Sequence, residues 1–361
     1  ARSWLPSRRN IAPTSHAATT ADYRRRRRPQ PPTMPVTYRP LRDTDYPHLA
    51  DLLNGASIVD GRAQHQTADE LRQEFTSHPV DLDNHTLAAW DGDQLIGALY
   101  AFYLPSDVRE VRCYLFGTVH PERRGNGIGR HLLEWGLHRG TELLRASGND
   151  LPKYLRVDTS RTNASAIRLF ERFRLEPIRY FADLRADLRQ PTPAKPVRPT
   201  PASHATVGFR IVPWDLARNE EARTVKNAAF MDHWGSTPTS AQWWTTQTSG
   251  FGSRPDWSYF AVDDDDRIIG HLITHRFEHD DPLLGAKYAW IDNIGTLAEW
   301  RGRGVATQLI TTALAKYREE GMQFAALGVD SANPTGAYRL YESLGFGPWR
   351  QFVNYQRVIH A

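Results

Sequence analysis

A glycine-containing segment occurs twice in this chain of 361 residues. ERRGNGIGRHLL spans residues 122–133 and EWRGRGVATQLI spans residues 299–310, and the two align without a gap. Each copy follows a strand-like run and leads into residues with the apolar spacing of a helix. Similar strand and helix patterns recur in the same order around both copies. The sequence therefore predicts a duplicated domain of about 150 residues rather than a solenoid.

A proline-rich segment, residues 189–208, separates the two copies. It contains five prolines and few apolar side chains, which is typical of a semi-rigid exposed spacer. We therefore predict a basic tail (1–33), a first domain (34–188), the spacer and a second domain (209–361). In each half, two strand patterns joined by an Asp/Gly turn predict a β-hairpin. The predicted class is α/β (α+β), with a mixed, mostly antiparallel central sheet flanked by helices in each domain.

The basic character of the chain is confined to its tail. The formal net charge is +4, but the first 33 residues contain eight Arg and one Asp, which leaves the rest at −3. A mildly acidic body argues against a surface that binds nucleic-acid phosphates. The tail lacks apolar periodicity, so we expect it to be disordered. It is either a transit peptide or sequence upstream of a true start at Met34.

Composition also limits the compartment and the partners. The sequence has no run of 18 apolar residues, so we expect no membrane span. Its single cysteine, Cys113, excludes an intramolecular disulfide and fits a reducing cytosol. Cys and His do not occur with zinc-site spacing, so we expect no metal. We expect a cytoplasmic monomer in which the duplication forms an internal pseudo-dimer.

Closely spaced glycines between a strand and a helix can hold a pyrophosphate. Without a Cβ they expose backbone N–H groups at the positive end of the helix dipole. Four arginines can add charge-assisted contacts to phosphate oxygens: Arg124, Arg130, Arg301 and Arg303. Neither copy has the Gly-Lys-Ser/Thr of a P-loop, and both depart from the spacing and position of a dinucleotide fingerprint. A glycine turn that serves tight packing alone remains the structural alternative.

The two segments also resemble a known signature. RGNGIG (124–129) and RGRGVA (301–306) match the R/Q-x-x-G-x-G/A signature of the GNAT acetyltransferase superfamily. NPTGAYRLYESLGF (333–346) resembles the closing segment of that family. The tandem arrangement and AFMDHWG (229–235) are similar to the mycothiol synthase group. The resemblance implies two consecutive GNAT-like domains and direct transfer of an acetyl group from acetyl-CoA to an amine.

The same resemblance implies which residues contact acetyl-CoA, with its pyrophosphate on the glycine loop and its pantetheine arm along the preceding strand. In the second half these are Ile294, Gly295, Thr296, Arg301, Gly302, Arg303, Gly304, Val305, Ala306 and Thr307. In the first half they are Arg124, Gly125, Asn126, Gly127, Gly129 and Arg130. Asn333 either orients the acetyl-CoA arm or caps the last helix ahead of Pro334.

Direct transfer makes chemical demands that the second half meets. The amine must lose a proton, the thioester oxygen needs an N–H donor, and the departing thiolate gains from an acid. Asp292, nine residues before Arg301, is the candidate base, or else a strand aspartate that caps a loop. By resemblance, Tyr341 is the candidate acid, with core packing as its alternative, and the amide of Ile294 is a candidate oxyanion donor.

The first half lacks these polar groups at the aligned positions. Leu115 stands opposite Asp292, and Phe170 stands opposite Tyr341. Cys113 is expected to be a buried strand residue, because no His lies near it and direct transfer needs no nucleophile. We therefore expect the first domain to be non-catalytic and the second domain to be catalytic.

Three residues after the second half's first helix are candidates for binding the acceptor: Asp232, His233 and Trp234. A surface role for His233 remains open. We predict an N-acetyltransferase that acts on a primary amine of a small molecule. The alternatives are a non-catalytic acyl-CoA-binding regulatory protein and a tRNA-dependent aminoacyl-transferring tandem enzyme, and the charge of −3 on the body weighs against the second.

Overall fold

The computed structural model describes residues 35–62, 64–77, 80–191, 208–331 and 336–360. The first half contains β1 (Thr37–Arg39), α1 (Tyr46–Val59), α2 (Ala68–Ser77), α3 (Leu82–His85), β2 (Thr86–Asp91), β3 (Gln94–Leu104), β4 (Val111–Val119), α4 (Ile128–Arg145), β5 (Lys153–Ser160), α5 (Ala164–Arg172) and β6 (Glu176–Asp187). The second half contains β7 (Phe209–Pro213), α6 (Asn219–Ala229), α7 (Ala241–Ser249), β8 (Tyr259–Asp263), β9 (Ile268–His275), α8 (Asp281–Leu284), β10 (Tyr288–Thr296), α9 (Val305–Glu319), β11 (Phe324–Asp330), α10 (Ala337–Ser343) and β12 (Gly347–Ile359).

Both predicted hairpins are confirmed. Strands β2 and β3 pair antiparallel, as do β8 and β9. In the second hairpin the carboxylate of Asp263 accepts the backbone N–H groups of Asp265 (3.0 Å) and Arg267 (2.9 Å). The run of four aspartates is therefore a hydrogen-bonded turn. In the described ranges, no group of three or more His, Cys, Asp or Glu is arranged to hold a metal.

The two parallel strand pairs separate beside the glycine loops. Residues 111–114 of β4 pair with 153–156 of β5, and 288–291 of β10 pair with 324–327 of β11. Beyond these residues the strands of each pair part. One edge of β4 and one edge of β10 are therefore left without a neighbouring strand, and their backbone groups can pair with an extended ligand.

The two halves exchange their last strands. The order in the 12-stranded sheet is β1-β2-β3-β4-β5-β12-β6-β11-β10-β9-β8-β7, so β6 completes the second half and β12 completes the first. Arg179 on β6 donates to both carboxylate oxygens of Asp330 on β11 at 2.7 to 3.0 Å. The two mostly antiparallel sheets that the sequence predicts are therefore joined into one.

Helices α4 and α9 cover equivalent positions in the two halves. Four apolar residues recur at helical spacing in α9, and none is more than 1% exposed: Leu309, Ala313, Leu314 and Tyr317. In α4, Ile128 and Leu132 are buried, whereas Trp135 packs at the margin of the core. Cys113 is 0% exposed, as expected, and burial raises the pKa of its thiol to about 12. No helix within the described ranges is long and apolar enough to cross a membrane.

Candidate active site

The two glycine loops have the same backbone conformation. The φ angles are +84° at Gly125, +86° at Gly127, +75° at Gly302 and +85° at Gly304. Residues with a Cβ rarely adopt such angles. At all four positions, no heavy atom lies within 4 Å of the place where a Cβ would stand. The backbone conformation therefore requires these glycines, and they leave open space above each loop.

A helix begins directly after each loop. Gly127 and Gly304 are the N-cap residues of α4 and α9, and no side chain bonds the first-turn amides from either position. Free N–H groups at the positive end of a helix dipole form an anion site. Arg130 and Arg303 are exposed beside the two loops, where their guanidinium groups can add charge.

Arg124, which opens the first signature, is held by protein partners. Its Nη1 and Nη2 donate to the carboxylate of Asp60 at 2.7 and 2.9 Å, and its Nε donates to the carbonyl of Val119 at 3.0 Å. The guanidinium group thus ties the glycine loop to β4 and to the end of α1.

Arg301 has the corresponding role in the second half. Its Nε donates to the carbonyl of Thr296 at 3.3 Å, and its Nη2 donates to the carbonyl of Ala229 at 2.8 Å. An ion pair of 3.7 Å joins its Nη1 to Asp232. In both halves, therefore, the signature arginine fixes the loop. Arg130 and Arg303 form no hydrogen bond or ion pair with a described residue, whereas Arg301 is exposed but bonded.

A cavity of about 550 Å³ adjoins the first glycine loop. Five predicted contacts line it: Arg124, Gly125, Gly127, Gly129 and Arg130. Asn126 lies with Gly125 and Gly127 on a neighbouring depression. From the loop, the cavity runs through the gap between residues 115–119 of β4 and 157–159 of β5 and ends against α1 and α2. Its volume suits a small-molecule site.

The end of this cavity against α1 and α2 is polar. Glu74 from α2 and Tyr100 from β3 line it, together with Arg62 and Asp158, which form an ion pair of 2.5 Å. Burial raises the pKa of Glu74 and holds the pKa of Tyr100 well above its usual value. The alignment of the two halves did not predict these groups, because they lie at positions that do not align with Asp292 or Tyr341.

Asp292 occupies a bulge in the second half. The register of β10 against β9 shifts between Ile291 and Asn293, so Asp292 has no residue opposite it. β4 pairs with β3 without such a shift. Asp292 Oδ1 lies 3.5 Å from Nδ1 of His275, whose Nε2 lies 2.7 Å from the carbonyl oxygen of Gln247. A neutral imidazole can donate to one of these oxygens, and a protonated imidazole can donate to both.

Tyr341 lies on α10 and is 8% exposed. Its ring packs edge-on against Phe346 at 6.1 Å, and burial raises its pKa to about 12. Its hydroxyl forms no hydrogen bond to any described residue. Tyr341 therefore combines core packing with a free hydroxyl. Its first-half counterpart, Phe170, lines the cavity and packs against Tyr355 at 5.5 Å.

The predicted cofactor contacts at 294–296 lie on β10 after the bulge. A Cβ on Gly295 would stand 2.7 Å from His271 and 3.0 Å from Phe230, so this glycine lets the end of α6 pack closely on the strand. His271 is 0% exposed, and its Nε2 lies 2.7 Å from Oδ1 of Asn293. Burial lowers the pKa of His271 to about 4.

The remaining predicted cofactor contacts of the second half include the first residues of helix α9. Val305 is 1% exposed, so only its backbone can reach a ligand, whereas Ala306 and Thr307 are partly exposed. Asn333 lies outside the described residues. In the first half, Asn163 caps α5 by accepting the N–H of Ala166 at 3.1 Å, which is the structural role considered for Asn333.

The predicted acceptor residues do not form one cluster. Asp232 pairs with Arg301 at the second glycine loop. The ring of His233 lies 5.5 Å from that of Phe230, and its Nδ1 is 3.0 Å from the carbonyl oxygen of Trp234. Only Asp232 therefore contacts the second glycine loop.

Trp234 instead contacts the first half. Its ring centroid lies 4.4 Å from the guanidinium carbon of Arg156 and 5.2 Å from that of Arg179. Arg112 on β4 donates to the next carbonyl, that of Gly235. The acceptor loop predicted from the sequence therefore also joins the two halves.

Sequence reasoning missed Arg350 on β12. This residue is 9% exposed, its Nε lies 3.0 Å from Asp183, and its Nη1 and Nη2 have no hydrogen-bond partner among the described residues. Its guanidinium carbon lies 3.9 Å from the ring centroid of Trp349 and 5.5 Å from that of Trp290. Trp290 lies on β10, two residues before Asp292.

Comparison with known proteins also finds the same domain twice in this chain. The model of the Acetyltransferase (GNAT) family matches the chain twice, over residues 49–174 and 219–346, once for each glycine loop. A mycothiol acetyltransferase from Thermobispora bispora is 32% identical over 280 residues, 75% of this chain and 83% of that protein. The mycothiol acetyltransferase from Streptomyces griseus is 30% identical over 234 residues, 63% of this chain and 66% of that protein.

Two solved structures have a similar fold. A GCN5-related N-acetyltransferase from Sphaerobacter thermophilus superposes with a TM-score of 0.67 and 22% identity, over 91% of this chain and 98% of that one. A tandem GNAT protein from the clavulanic acid biosynthesis pathway superposes with a TM-score of 0.65 and 20% identity, over 91% and 99%. At these identities the likeness concerns the tandem fold alone.

Proposed function

Because the chain belongs to the GNAT family of acetyltransferases, we propose that its second half (209–361) transfers an acetyl group from acetyl-CoA to a primary amine of a small molecule. Membership in this family identifies the protein as an N-acetyltransferase. One observation supports the assignment of catalysis to the second half. The bulge in β10 leaves Asp292 without a strand partner and beside His275, and β4 has no bulge against β3.

In the proposed mechanism, the carboxylate of Asp292 accepts the proton of the acceptor amine, and His275 positions that carboxylate. An aliphatic amine is mostly protonated at neutral pH and must lose that proton before it attacks the thioester carbon. The side chain of Asp292 is 34% exposed, so an amine or one bridging water can reach its carboxylate. The amide of Ile294, on the part of β10 that has separated from β11, donates to the thioester oxygen as negative charge develops there.

Tyr341 then protonates the departing sulfur. A pKa of about 12 keeps its hydroxyl protonated at neutral pH, and the lack of a hydrogen-bond partner among the described residues leaves that proton available. The amides at the start of α9, with Arg303 beside them, bind the pyrophosphate of acetyl-CoA.

The first domain (34–188) is proposed to bind acetyl-CoA without catalysing transfer. Its glycine loop adjoins a cavity of adequate volume, which supports binding. Leu115 and Phe170 replace the base and the acid, which argues against chemistry there. The division of the chain into a tail (1–33), two domains and a spacer (189–208) is likewise a proposal.

The acceptor is proposed to be a small-molecule amine. Relatives at about 30% identity are mycothiol acetyltransferases, so the deacetylated form of mycothiol is the first candidate. The unpaired Nη groups of Arg350 can donate to oxygen atoms of such a molecule. A cytoplasmic monomer without nucleic-acid partners stays a prediction.

The test is release of the CoA thiol from acetyl-CoA in the presence of deacetylated mycothiol, an aminoglycoside, a polyamine or a peptide. Wild type should release thiol with at least one amine, and Asp292→Asn should lower kcat by about 10² or more, as loss of a general base does. Asp265→Asn, in the β8–β9 turn with a side chain 76% exposed, is the control and should leave kcat unchanged.

Other outcomes would favour the alternatives. A regulatory binding protein would bind acetyl-CoA and release no thiol with any amine. A tRNA-dependent enzyme would bind tRNA at low salt, where phosphate contacts are strongest. Full activity of Asp292→Asn would remove the proposed base.

A further inference from the structure

The first-half cavity has an end that the proposed mechanism does not use. Here it is called the inner end, and it is formed by Glu74, Tyr100, Phe116, Asp158 and Arg62. These residues come from α2, β3, β4, β5 and the segment after α1. The inner end belongs to the same cavity as the first glycine loop, so one ligand can lie against the loop while a second reaches the inner end.

The acidic groups near the inner end differ in whether they have partners. Asp158 is paired with Arg62 at 2.5 Å. Glu70, one turn before Glu74, accepts the N–H of Thr67 at 2.6 Å and lies 3.5 Å from His279. The carboxyl group of Glu74 has neither a hydrogen bond nor an ion pair with any described residue. One carboxyl group on the cavity wall is therefore left without a counter-ion.

Tyr100 is the second unpartnered group. It is 8% exposed and lines the cavity, and its hydroxyl forms no hydrogen bond within the described ranges. Its ring centroid lies 5.4 Å from that of Phe116, which also lines the cavity. Aromatic ring faces attract cations. The carboxyl group of Glu74 and these two rings therefore offer the wall of a cation site.

The charges favour one class of ligand. The Arg62 guanidinium on this wall is already paired with Asp158 at 2.5 Å, so an anion would meet Glu74 with Glu70 behind it. A neutral apolar group would leave a buried carboxyl group unsatisfied. A compact cation that donates hydrogen bonds satisfies both Glu74 and the hydroxyl of Tyr100. An ammonium group has this chemistry.

We propose that the inner end of the first-half cavity binds the ammonium group of a small amine, with Glu74 as its counter-ion and the rings of Tyr100 and Phe116 as its wall. Binding involves no covalent step. The site lies in the other half from Asp292 and His275, so it does not depend on which half transfers acetyl groups.

The pH dependence of binding has a definite sign. Burial and the neighbouring charge of Glu70 raise the pKa of Glu74, while Tyr100, Asp158 and Arg62 face it from the other elements. An ammonium ion binds the ionised carboxylate. Affinity should therefore increase as the pH rises through the range above ordinary glutamate titration, and it should then level off.

The experiment uses the full chain without acetyl-CoA, so that no acetyl transfer consumes the amine. Ethanolamine, glucosamine and putrescine are titrated at pH 8, and hydrogen exchange of residues 68–77 reports on α2. At least one amine should protect this segment. Glu74→Gln should weaken that binding at least tenfold, about 1.4 kcal/mol, and abolish its pH dependence. Asp69→Asn, on the same helix with a side chain 88% exposed, should bind like the parent.

Three results would overturn the proposal. In the first, none of the three amines protects residues 68–77. In the second, Glu74→Gln binds as tightly as the parent while its thermal unfolding is unchanged. In the third, ethylene glycol protects the segment as well as ethanolamine does. A separate readout concerns the proposed function: with acetyl-CoA added, loss of turnover in Glu74→Gln would place chemistry in the first half.

Discussion

The carboxylate of Asp292 lies 3.5 Å from Nδ1 of His275, at the one point where β10 changes its register against β9. The bulge turns the aspartate out of the strand pairing, and the carbonyl of Gln247 holds the far side of the imidazole. Bulges often re-aim side chains beside active sites. β4 pairs with β3 without a bulge, so the first half has no counterpart of this arrangement.

His275 should act through Asp292. We expect His275→Asn to lower kcat by about tenfold to a hundredfold, a smaller loss than removal of the base itself. The KM for acetyl-CoA should stay within about twofold, because His275 does not border the glycine loop. Steady-state kinetics with varied acetyl-CoA and varied amine measure both quantities. A large rise in that KM with unchanged kcat would mean that His275 serves binding.

Tyr341→Phe should lower kcat by about tenfold or more, because it removes the proposed proton donor and keeps the ring in the core. With a pKa of about 12, Tyr341 stays protonated throughout the range from pH 7 to 10. Its ionisation should therefore produce no alkaline fall in kcat there. Tyr338→Phe on the same helix is the matched control. An alkaline limb below pH 10 that disappears in Tyr341→Phe would contradict this role.

His271 should make stability depend on pH. Its pKa is about 4 in the folded protein against about 6.5 unfolded, so the unfolded chain binds the additional proton between these values. The free energy of unfolding gains nothing from this residue's titration above pH 6.5. It should fall as the pH drops towards 4, by about 3 kcal/mol in total. Denaturant unfolding of wild type and His271→Gln at pH 7.5, 5.5 and 4.5 measures the difference. Equal slopes in the two proteins would contradict the assignment.

Much of the fold follows from local sequence signals. The Asp/Gly turns predicted both hairpins, and apolar spacing predicted α4 and α9. The strand exchange could not be predicted, because alternation along β6 or β12 shows which face is buried but not which strand lies beside it. Leu184 is 0% exposed in the core of the second half, and either sheet would have buried it equally.

The site was predictable where residues are close along the chain. The glycine loops and the position of Asp292 follow from one short segment. His275, Glu74 and Arg350 were not predicted, because strand pairing or helix packing brings them to their places from distant segments. Trp234 was predicted beside the acceptor, yet its ring lies against Arg156 and Arg179 of the first half.

The exchanged strands should make the two halves fold together. Ala182, Leu184 and Ala186 of β6 belong to the core of the second half, and Val353 and Tyr355 of β12 belong to the core of the first. Residues 34–188 or 209–361 expressed alone would expose these side chains, so we expect aggregation or unfolding of each and recovery on co-expression. Size-exclusion chromatography and circular dichroism test this. A stable, monomeric half with a sharp thermal transition would contradict it.

The central claim is that the second half transfers the acetyl group. Gly127 and Gly304 permit a direct comparison, because they cap equivalent helices at φ angles of +86° and +85° and both face open space. An Asp at either position would impose the same backbone strain and would place the same negative charge beside the bound pyrophosphate. The decisive measurement is amine-dependent thiol release, at subsaturating acetyl-CoA, by Gly127→Asp and Gly304→Asp. We predict a loss of about 10² or more, about 2.7 kcal/mol, in Gly304→Asp and less than about threefold in Gly127→Asp. The reverse pattern would place catalysis in the first half.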